Sequence, residues 1–184
     1  MILPRSFYAR DTITVARELL GKEIVHRGDA GVTSGIIVET EAYPGGEDLA
    51  SHSAAGITDR TRVIFGAPGH AYVYLCYGMY WCLNFVVERE GAPGCVLIRA
   101  LEPLKGMEIM RRRRPRAKSD RELANGPGKL TMALGITRRE NGVDLTRGSL
   151  TVHTHGGEVP FDIAVTPRIG ITKCADLPLR FVRM

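Results

Sequence analysis

Residues 71–87, AYVYLCYGMYWCLNFVV, decide the fold class of this chain. The stretch is rich in aromatic and β-branched residues, and its single glycine, Gly78, predicts a β-hairpin with its tip at residues 77–80. Successive side chains of a strand point to opposite faces, so the return strand divides into two sets. One face carries Tyr80, Cys82, Asn84 and Val86, and the other carries Trp81, Leu83, Phe85 and Val87.

Strand-like segments also dominate the rest of the chain. Residues 22–27, 32–43 and 94–101 are rich in β-branched or aromatic residues and bounded by Gly, Pro or Asp, and the tail adds SLTVHT and FDIAVTPRIGI. Helices are fewer: residues 11–21, a helix with Pro103 in its first turn that runs into an arginine cluster, and residues 127–134, closed by Gly135. These patterns predict one α+β domain over residues 1–184, built on a curved, largely antiparallel sheet.

Composition excludes several classes of protein. The 184 residues are 44% hydrophobic and 24% charged, which is ordinary for a globular domain. No apolar stretch approaches the roughly 18 residues of a membrane span, and the N-terminus has no signal-like apolar region. Four cysteines form no CxxC pair, so we expect free thiols and a reducing compartment, with no membrane partner.

Basic charge is concentrated in one segment. Residues 111–121, RRRRPRAKSDR, carry seven basic side chains and one acid, a net +6, which leaves −1 for the rest of a chain whose net charge is +5. Such a run often contacts nucleic acid, and it is also typical of a solvated, mobile loop with no partner. Charge alone leaves both interpretations open.

Polar residues inside strands are the first candidates for a site. Glu39, Glu41 and Tyr43 share one face of the strand 32–43, and that strand alone favours a solvent-exposed face of the sheet. Asn84 and Arg99 are isolated polar groups in apolar runs, so, if buried, each needs specific partners. For Arg99, Glu39 and Glu41 are available, either in a structural ion pair or with the arginine orienting a catalytic carboxylate.

Aromatic rings and one long loop complete the candidate surface. Tyr72 and Tyr80 fit equally well as surfaces for stacking on nucleic-acid bases and as a cross-strand ladder in the core. The polar segment 44–70, which contains His52, exceeds the usual length of a connection, and loops of about 20 residues in a compact domain are usually functional. The pair His153-x-His155 is too sparse for a zinc site, so we expect no metal.

Seven strings of residues, in the expected order, resemble the alkyladenine (3-methyladenine) DNA glycosylase family, and the resemblance runs over nearly the whole chain, from about Leu3 to Phe181. They are VETEAY (38–43), DLASHS (48–53), YVYLCYGMYWCLN (72–84), CVLIRALEP (95–103), GPGKLTMALGI (126–136), and PRIG (167–170) with PLRF (178–181). The resemblance implies a monofunctional enzyme of base excision repair, with a protruding hairpin on a curved antiparallel sheet. Such an enzyme flips alkylated or deaminated purines, of the 3-methyladenine and hypoxanthine type, out of duplex DNA and hydrolyses the N-glycosidic bond.

The resemblance also implies roles for individual residues. Glu41 matches the carboxylate that activates the attacking water, and Arg99 and the main-chain carbonyl of Ile169 match the groups that position it. The binding pocket would consist of Tyr43, His52, Tyr74, Cys82 and Asn84, where Asn84 excludes normal guanine. Tyr77 matches the aromatic wedge that fills the gap in the duplex. The arginine run is outside the family's pattern, and Arg111, Arg112, Arg113 and Arg114 are candidates for contacts with the DNA backbone.

Chemistry and partners follow from this resemblance. No lysine lies at the matched site, so we expect no Schiff-base step, and we expect no cofactor. The partner would be double-stranded DNA with damaged purines, bound by a monomer in the cytoplasm at the nucleoid, or in the nucleus of a eukaryote. Two other classes remain open: a nucleic-acid-binding module without activity, and a hydrolase of free nucleosides. The intact set of candidate residues disfavours the first, and the wedge tyrosine disfavours the second.

Overall fold

Strand β2, the longest in the molecule, organises the sheet. The computed structural model describes residues 1–156 and 160–184. Within them, eight strands form the sheet, six of them pair in the order β3-β4-β5-β2-β1-β6, and all pairs of the sheet are antiparallel. One edge of β2 pairs with β5 along its length, while the other edge pairs first with β1 and then with β8, which also pairs with β7. The strands are β1 (Glu23–Gly28), β2 (Gly31–Pro44), β3 (Ala71–Cys76), β4 (Tyr80–Val86), β5 (Gly94–Lys105), β6 (Leu150–His153), β7 (Ile163–Thr166) and β8 (Arg180–Arg183).

Four α-helices lie in the described part of the chain: α1 (Arg5–Tyr8), α2 (Thr12–Glu18), α3 (Met107–Arg113) and α4 (Pro127–Leu134). The side chain of Asp11 caps α2 by accepting a hydrogen bond from the backbone N–H of Thr14. Proline opens α4, and Gly135 follows it in the left-handed conformation at φ 76°, as the sequence predicts. None of these helices is long and apolar enough to cross a membrane.

The α+β prediction, with a mostly antiparallel sheet and few helices, is confirmed, and so is the hairpin, whose turn occupies the residues between Cys76 and Tyr80. Alternation along β3, β4 and β5 sorts side chains into two apolar clusters on opposite faces. Leu83, Phe85, Val96 and Ile98 join the main core beneath α2 and α4. The opposite face carries a smaller cluster with Tyr72, Tyr74, Val86 and Cys95.

Two predictions about local structure are wrong. Pro103 lies in β5 opposite Gly35, not in a helix, and α3 begins only at Met107. A register shift between Ser34 and Gly35 adjoins this pairing, and a proline without an N–H donor is tolerated at such an irregularity. In the tail, the strand predicted for FDIAVTPRIGI is reduced to Ile163–Thr166, since Pro167 follows. Strand β8 begins within the PLRF string and ends at Arg183, where no strand is predicted.

A buried ion pair joins the C-terminal part of the chain to the loop after β2. Both terminal nitrogens of the Arg168 guanidinium donate to Asp48, with Nη1–Oδ2 at 2.6 Å and Nη2–Oδ1 at 2.8 Å, and the side chains of Arg168 and Asp48 are 0% and 4% exposed. Arg168 also donates to the backbone carbonyls of Ala42 and Cys174. Because an unpaired buried guanidinium is very unfavourable, Asp48 determines where residues 167–174 lie.

The variant Asp48→Ala should therefore lower the free energy of unfolding by about 3–5 kcal/mol, since it leaves Arg168 without its counter-charge. Asp59→Ala, in the same loop, is the matched control, because Asp59 pairs with Arg62 at a position where the two side chains are 98% and 74% exposed. Urea unfolding of both variants measures the difference. An Asp48 variant as stable as the Asp59 variant would contradict this account.

Candidate active site

Glu41, near the end of β2, is a carboxylate without solvent exposure. Oε1 accepts a hydrogen bond from the backbone N–H of Ile169 at 2.8 Å and lies 3.2 Å from Nη1 of Arg99. Oε2 accepts a hydrogen bond from the phenol of Tyr43 at 2.8 Å. The face of β2 that carries Glu41 is therefore a buried charged site here, and not the solvent-exposed surface that the strand alone favours.

Arg99 contacts Glu39 and Glu41, the two carboxylates of β2, which agrees both with a structural ion pair and with an arginine that orients a catalytic carboxylate. Its Nε donates to Oε1 of Glu39 at 2.9 Å while Nη1 faces Glu41. Carboxylates on two sides raise the pKa of Arg99, against the opposing effect of its burial, so this side chain is a permanent cation. β2 and β5 bring the three side chains together because register shifts interrupt their pairing on both sides of Glu39.

An aromatic cleft of about 310 Å³ adjoins this charged group. The predicted pocket residues Tyr43, His52, Tyr74 and Asn84 line it together. Glu41 is not among the lining residues, but two of its hydrogen-bond partners are close to the cleft. Tyr43 lines it directly, and Ile169 precedes the lining residue Gly170. The remaining lining residues are Ala50, Arg60, Tyr72, Leu75, Cys76, Tyr77, Cys95 and Ile171.

The wall formed by His52, Tyr72 and Tyr74 is tightly packed. His52 contacts Tyr74 edge-on with ring centroids 4.6 Å apart, and its Nδ1 lies 2.9 Å from the hydroxyl of Tyr72. The guanidinium of Arg60 stands over the Tyr74 ring, 5.0 Å from its centroid. Burial lowers the pKa of His52, and the charge of Arg60 lowers it further, so the imidazole is neutral at neutral pH.

Asn84 is buried in β4, and its Nδ2 donates to the carbonyl oxygen of Tyr72 at 3.2 Å. Cys82, also a predicted pocket residue, is the cross-strand partner of Tyr74; it is buried and does not line the cleft. Burial raises the pKa of the Cys82 thiol to about 11, so it is an unreactive thiol at neutral pH. All four cysteines of the chain are free, as the sequence predicts.

Tyr77 stands at the hairpin tip with 80% of its surface exposed and a left-handed backbone at φ 51°. Met79 in the same turn is 67% exposed, and Tyr80 at the base of the turn is 45% exposed. Tyr77 also borders the mouth of the cleft. A projecting apolar tip of this kind is unusual on a surface without a binding partner.

The four arginines 111–114 lie at the end of α3 and in the residue after it, so this part of the basic segment 111–121 is not a loop. Arg111 pairs with Glu108 and with Asp120, where Nη2–Oδ1 is 2.8 Å, and Arg113 donates to the carbonyl of Ala133 at 3.0 Å. Arg112 is exposed, and Arg114 borders a shallow groove beside the hairpin together with Tyr80 and Lys129.

Sequence reasoning missed three positively charged contributors: Arg60, Arg168 and Arg180. Arg168 packs over the ring of Tyr43 at 4.6 Å, and Arg180 donates to Glu39 at 2.6 Å. Arg168 and Arg180 lie within the matched strings PRIG and PLRF, which was the one signal available for them, whereas Arg60 had none. Within the described residues, no group of three or more His, Cys, Asp or Glu side chains is placed to hold a metal ion.

Comparison with known proteins agrees with this geometry. The chain belongs to the methylpurine-DNA glycosylase family, whose model matches residues 6–184. Proteins with the provisional name 3-methyladenine DNA glycosylase are similar to it: one from Methanocella arvoryzae is 51% identical over 97% of this chain and 89% of its own length. Another, from Methanoculleus marisnigri, is 52% identical over 98% of this chain and 94% of its own. The predicted class, a monofunctional DNA glycosylase of DNA repair, is confirmed.

The electrostatics of the cleft can be checked on His52. We expect its imidazole to titrate below the ordinary value of 6.5, and the variant Arg60→Gln to raise that pKa because it removes a neighbouring positive charge. NMR titration of the imidazole resonances measures both values. Arg62→Gln, an exposed arginine of the same loop, should leave the titration unchanged. A wild-type value at or above 6.5 would contradict the assignment.

Proposed function

We propose that this protein flips alkylated and deaminated purines, of the 3-methyladenine and hypoxanthine type, out of double-stranded DNA. It then hydrolyses the N-glycosidic bond with a water molecule activated by Glu41 and leaves an abasic site. The observation that carries this proposal is the position of Glu41, a buried carboxylate held by three donors at the border of an aromatic cleft.

Hydrolysis of this bond builds positive charge on the deoxyribose, as in other glycoside hydrolyses. Glu41 stabilises that charge and takes a proton from the attacking water. Its Oε2 accepts one hydrogen bond, from Tyr43, which leaves a lone pair for the water. Arg99 and the carbonyl oxygen of Ile169 position the same water; the N–H of Ile169 already fixes that backbone against Glu41.

The flipped base lies in the cleft between Tyr43 and the wall of His52, Tyr72 and Tyr74. The ring centroids of His52 and Tyr74 are 4.6 Å apart, so the base does not lie between those two rings, where the resemblance would place it. Purines alkylated in the manner of 3-methyladenine are planar cations, and the guanidinium of Arg60, 5.0 Å from the centroid of the Tyr74 ring, supports the proposal that this ring attracts a planar cation. Such bases leave without being protonated. Hypoxanthine is neutral and needs a proton to leave, and His52 is a candidate donor. Because burial lowers the pKa of His52, little of it is protonated at neutral pH, and we expect the excision of hypoxanthine to be slower there.

Asn84 gives the pocket its selectivity against normal guanine. Its side chain is 4% exposed and anchored to the backbone of Tyr72, so it does not move aside easily for an extra exocyclic amine. Cys82 supports Tyr74 from the neighbouring strand. The base is therefore selected by shape at Asn84 and by charge at the aromatic rings.

DNA binds along the hairpin side of the molecule. Tyr77 enters the duplex and fills the space of the flipped nucleotide. The exposed Arg112 and the groove residues Arg114 and Lys129 neutralise phosphates, while Arg111 and Arg113 mainly hold the helices together. The protein acts as a monomer on the DNA of the cytoplasm, at the nucleoid, and no cofactor takes part.

Glu41→Gln should reduce base release by at least about a hundredfold, because the amide cannot accept the proton of the water. Affinity for lesion-containing duplex DNA should stay within a few-fold. The assay is release of 3-methyladenine from alkylated duplex DNA, followed by alkaline cleavage at abasic sites. Excision near the wild-type rate would disprove this role. Wild-type protein that binds without releasing bases would indicate a binding module, and activity on free nucleosides alone would indicate a nucleoside hydrolase.

Tyr77→Ser should slow excision from fully paired duplex DNA strongly, because the wedge stabilises the flipped state and takes no part in breaking the bond. The loss should be much smaller for a lesion opposite an unstable mismatch, where flipping is easier. Single-turnover rates on the two duplexes measure the ratio. An equal loss of rate on both duplexes would mean that Tyr77 belongs to the binding pocket or stabilises the fold, and is not a wedge.

A further inference from the structure

Glu39 connects two arginines beside the proposed reaction centre. A single oxygen, Oε1, accepts hydrogen bonds from Nε of Arg99 at 2.9 Å and from Nε of Arg180 at 2.6 Å. The side chains of Glu39, Arg99 and Arg180 are 18%, 13% and 21% exposed, so these contacts are largely shielded from water. Charge-assisted contacts of this kind hold a side chain more firmly than neutral hydrogen bonds do.

Glu39 restricts how Arg99 meets Glu41. A guanidinium is planar and rigid, and it prefers to bind a carboxylate with two parallel hydrogen bonds. Here Nε is occupied by Glu39, so Arg99 reaches Glu41 through Nη1 alone, at 3.2 Å. Without Glu39, Arg99 is free to turn two parallel N–H donors, from Nε and Nη1, onto Glu41. These donors would then occupy the carboxylate lone pairs that a water molecule needs.

Arg180 is placed for this task by the sheet. It is the register partner of Glu41 on β8, yet its head group is directed to Glu39. Its Nη1 donates to Oγ1 of Thr166 on β7 at 2.9 Å, which fixes the guanidinium from the other side. The two arginines and two glutamates are formally neutral together, so each charge in the group has a partner.

Glu39 is outside the cleft. It borders a separate groove with Val38, Glu102 and Val182, and it is not among the residues that line the aromatic cleft. An effect of Glu39 on the reaction must therefore pass through Arg99.

We propose that Glu39, held by Arg180, is a positioning residue that keeps Arg99 in a single contact with Glu41 and so preserves the water site. This inference rests on the proposed function, in which Glu41 activates the water. Neither Glu39 nor Arg180 touches the base or the sugar.

The test compares rate with binding. Glu39→Gln should reduce the single-turnover rate of 3-methyladenine release from duplex DNA by about tenfold to a hundredfold, the size expected for a small misplacement of a reacting group. Affinity for lesion DNA should change less than about threefold, since Glu39 does not contact the ligand. Glu23→Gln, a similarly buried carboxylate on β1 of the same sheet, is the matched control and should keep the wild-type rate.

A double-mutant cycle separates positioning from a purely structural role. In an Arg99→Met background, Glu39→Gln should lower the residual rate by less than about twofold, because the donors through which it acts are already gone. Arg180→Lys, which still donates to Glu39, should retain more activity than Arg180→Met. The inference is overturned by a wild-type rate in Glu39→Gln, by an equal loss with and without Arg99, or by equal rates in the two Arg180 variants.

Failure of this inference differs from failure of the proposed function. If Glu41→Gln is inactive while Glu39→Gln keeps the wild-type rate, only the positioning role is lost. If Glu41→Gln retains activity, the proposed mechanism itself is wrong. Should Glu39→Gln fail to fold in a thermal melt, the Arg180→Lys and Arg180→Met pair alone decides the question.

Discussion

The burial of one charged carboxylate constrains the rest of this structure. Glu41 has no solvent exposure, and an ionised group in such a place must be surrounded by donors. Those donors come from three parts of the chain: Tyr43 on the same strand, Arg99 on β5 and the backbone of Ile169 after β7. The contacts of Glu41 therefore join β2 to β5 and to the C-terminal part of the chain at the place where the reaction is proposed to occur.

A second ion pair carries that constraint outward. Arg168 precedes Ile169, and its bidentate contact with Asp48 places the N–H of Ile169 against Glu41. The same guanidinium packs on the ring of Tyr43, whose hydroxyl donates to Glu41. Burial and the nearby Glu41 raise the pKa of Tyr43, so the phenol keeps its proton and remains a donor. Rigidity at the carboxylate thus originates in side chains that do not touch it.

The hairpin and the cleft make different use of one sheet. Alternation along β3 and β4 directs Tyr72 and Tyr74 to the cleft, while Val73, Leu83 and Phe85 on the other face join the main core. Because the main core fixes these strands in place, it also positions the aromatic side chains on their opposite face. The tip at Tyr77 lies beyond that core and is exposed. One element therefore combines a packed aromatic wall with an exposed, projecting tip.

Alternation and isolated charges are local signals, so the sequence alone predicts the hairpin, the strand-rich α+β class, the helix that Pro127 opens, and the availability of Glu39 and Glu41 as partners for Arg99. It could not determine the depth of Glu41, since burial depends on what covers the sheet. The continuation of β5 through Pro103, the strand β8 and the contacts of Arg60, Arg168 and Arg180 were decided by tertiary structure alone. Each joins residues far apart in the chain, through backbone pairing at β5 and β8 and through contacts of the three arginine side chains, and no local pattern encodes which distant groups meet.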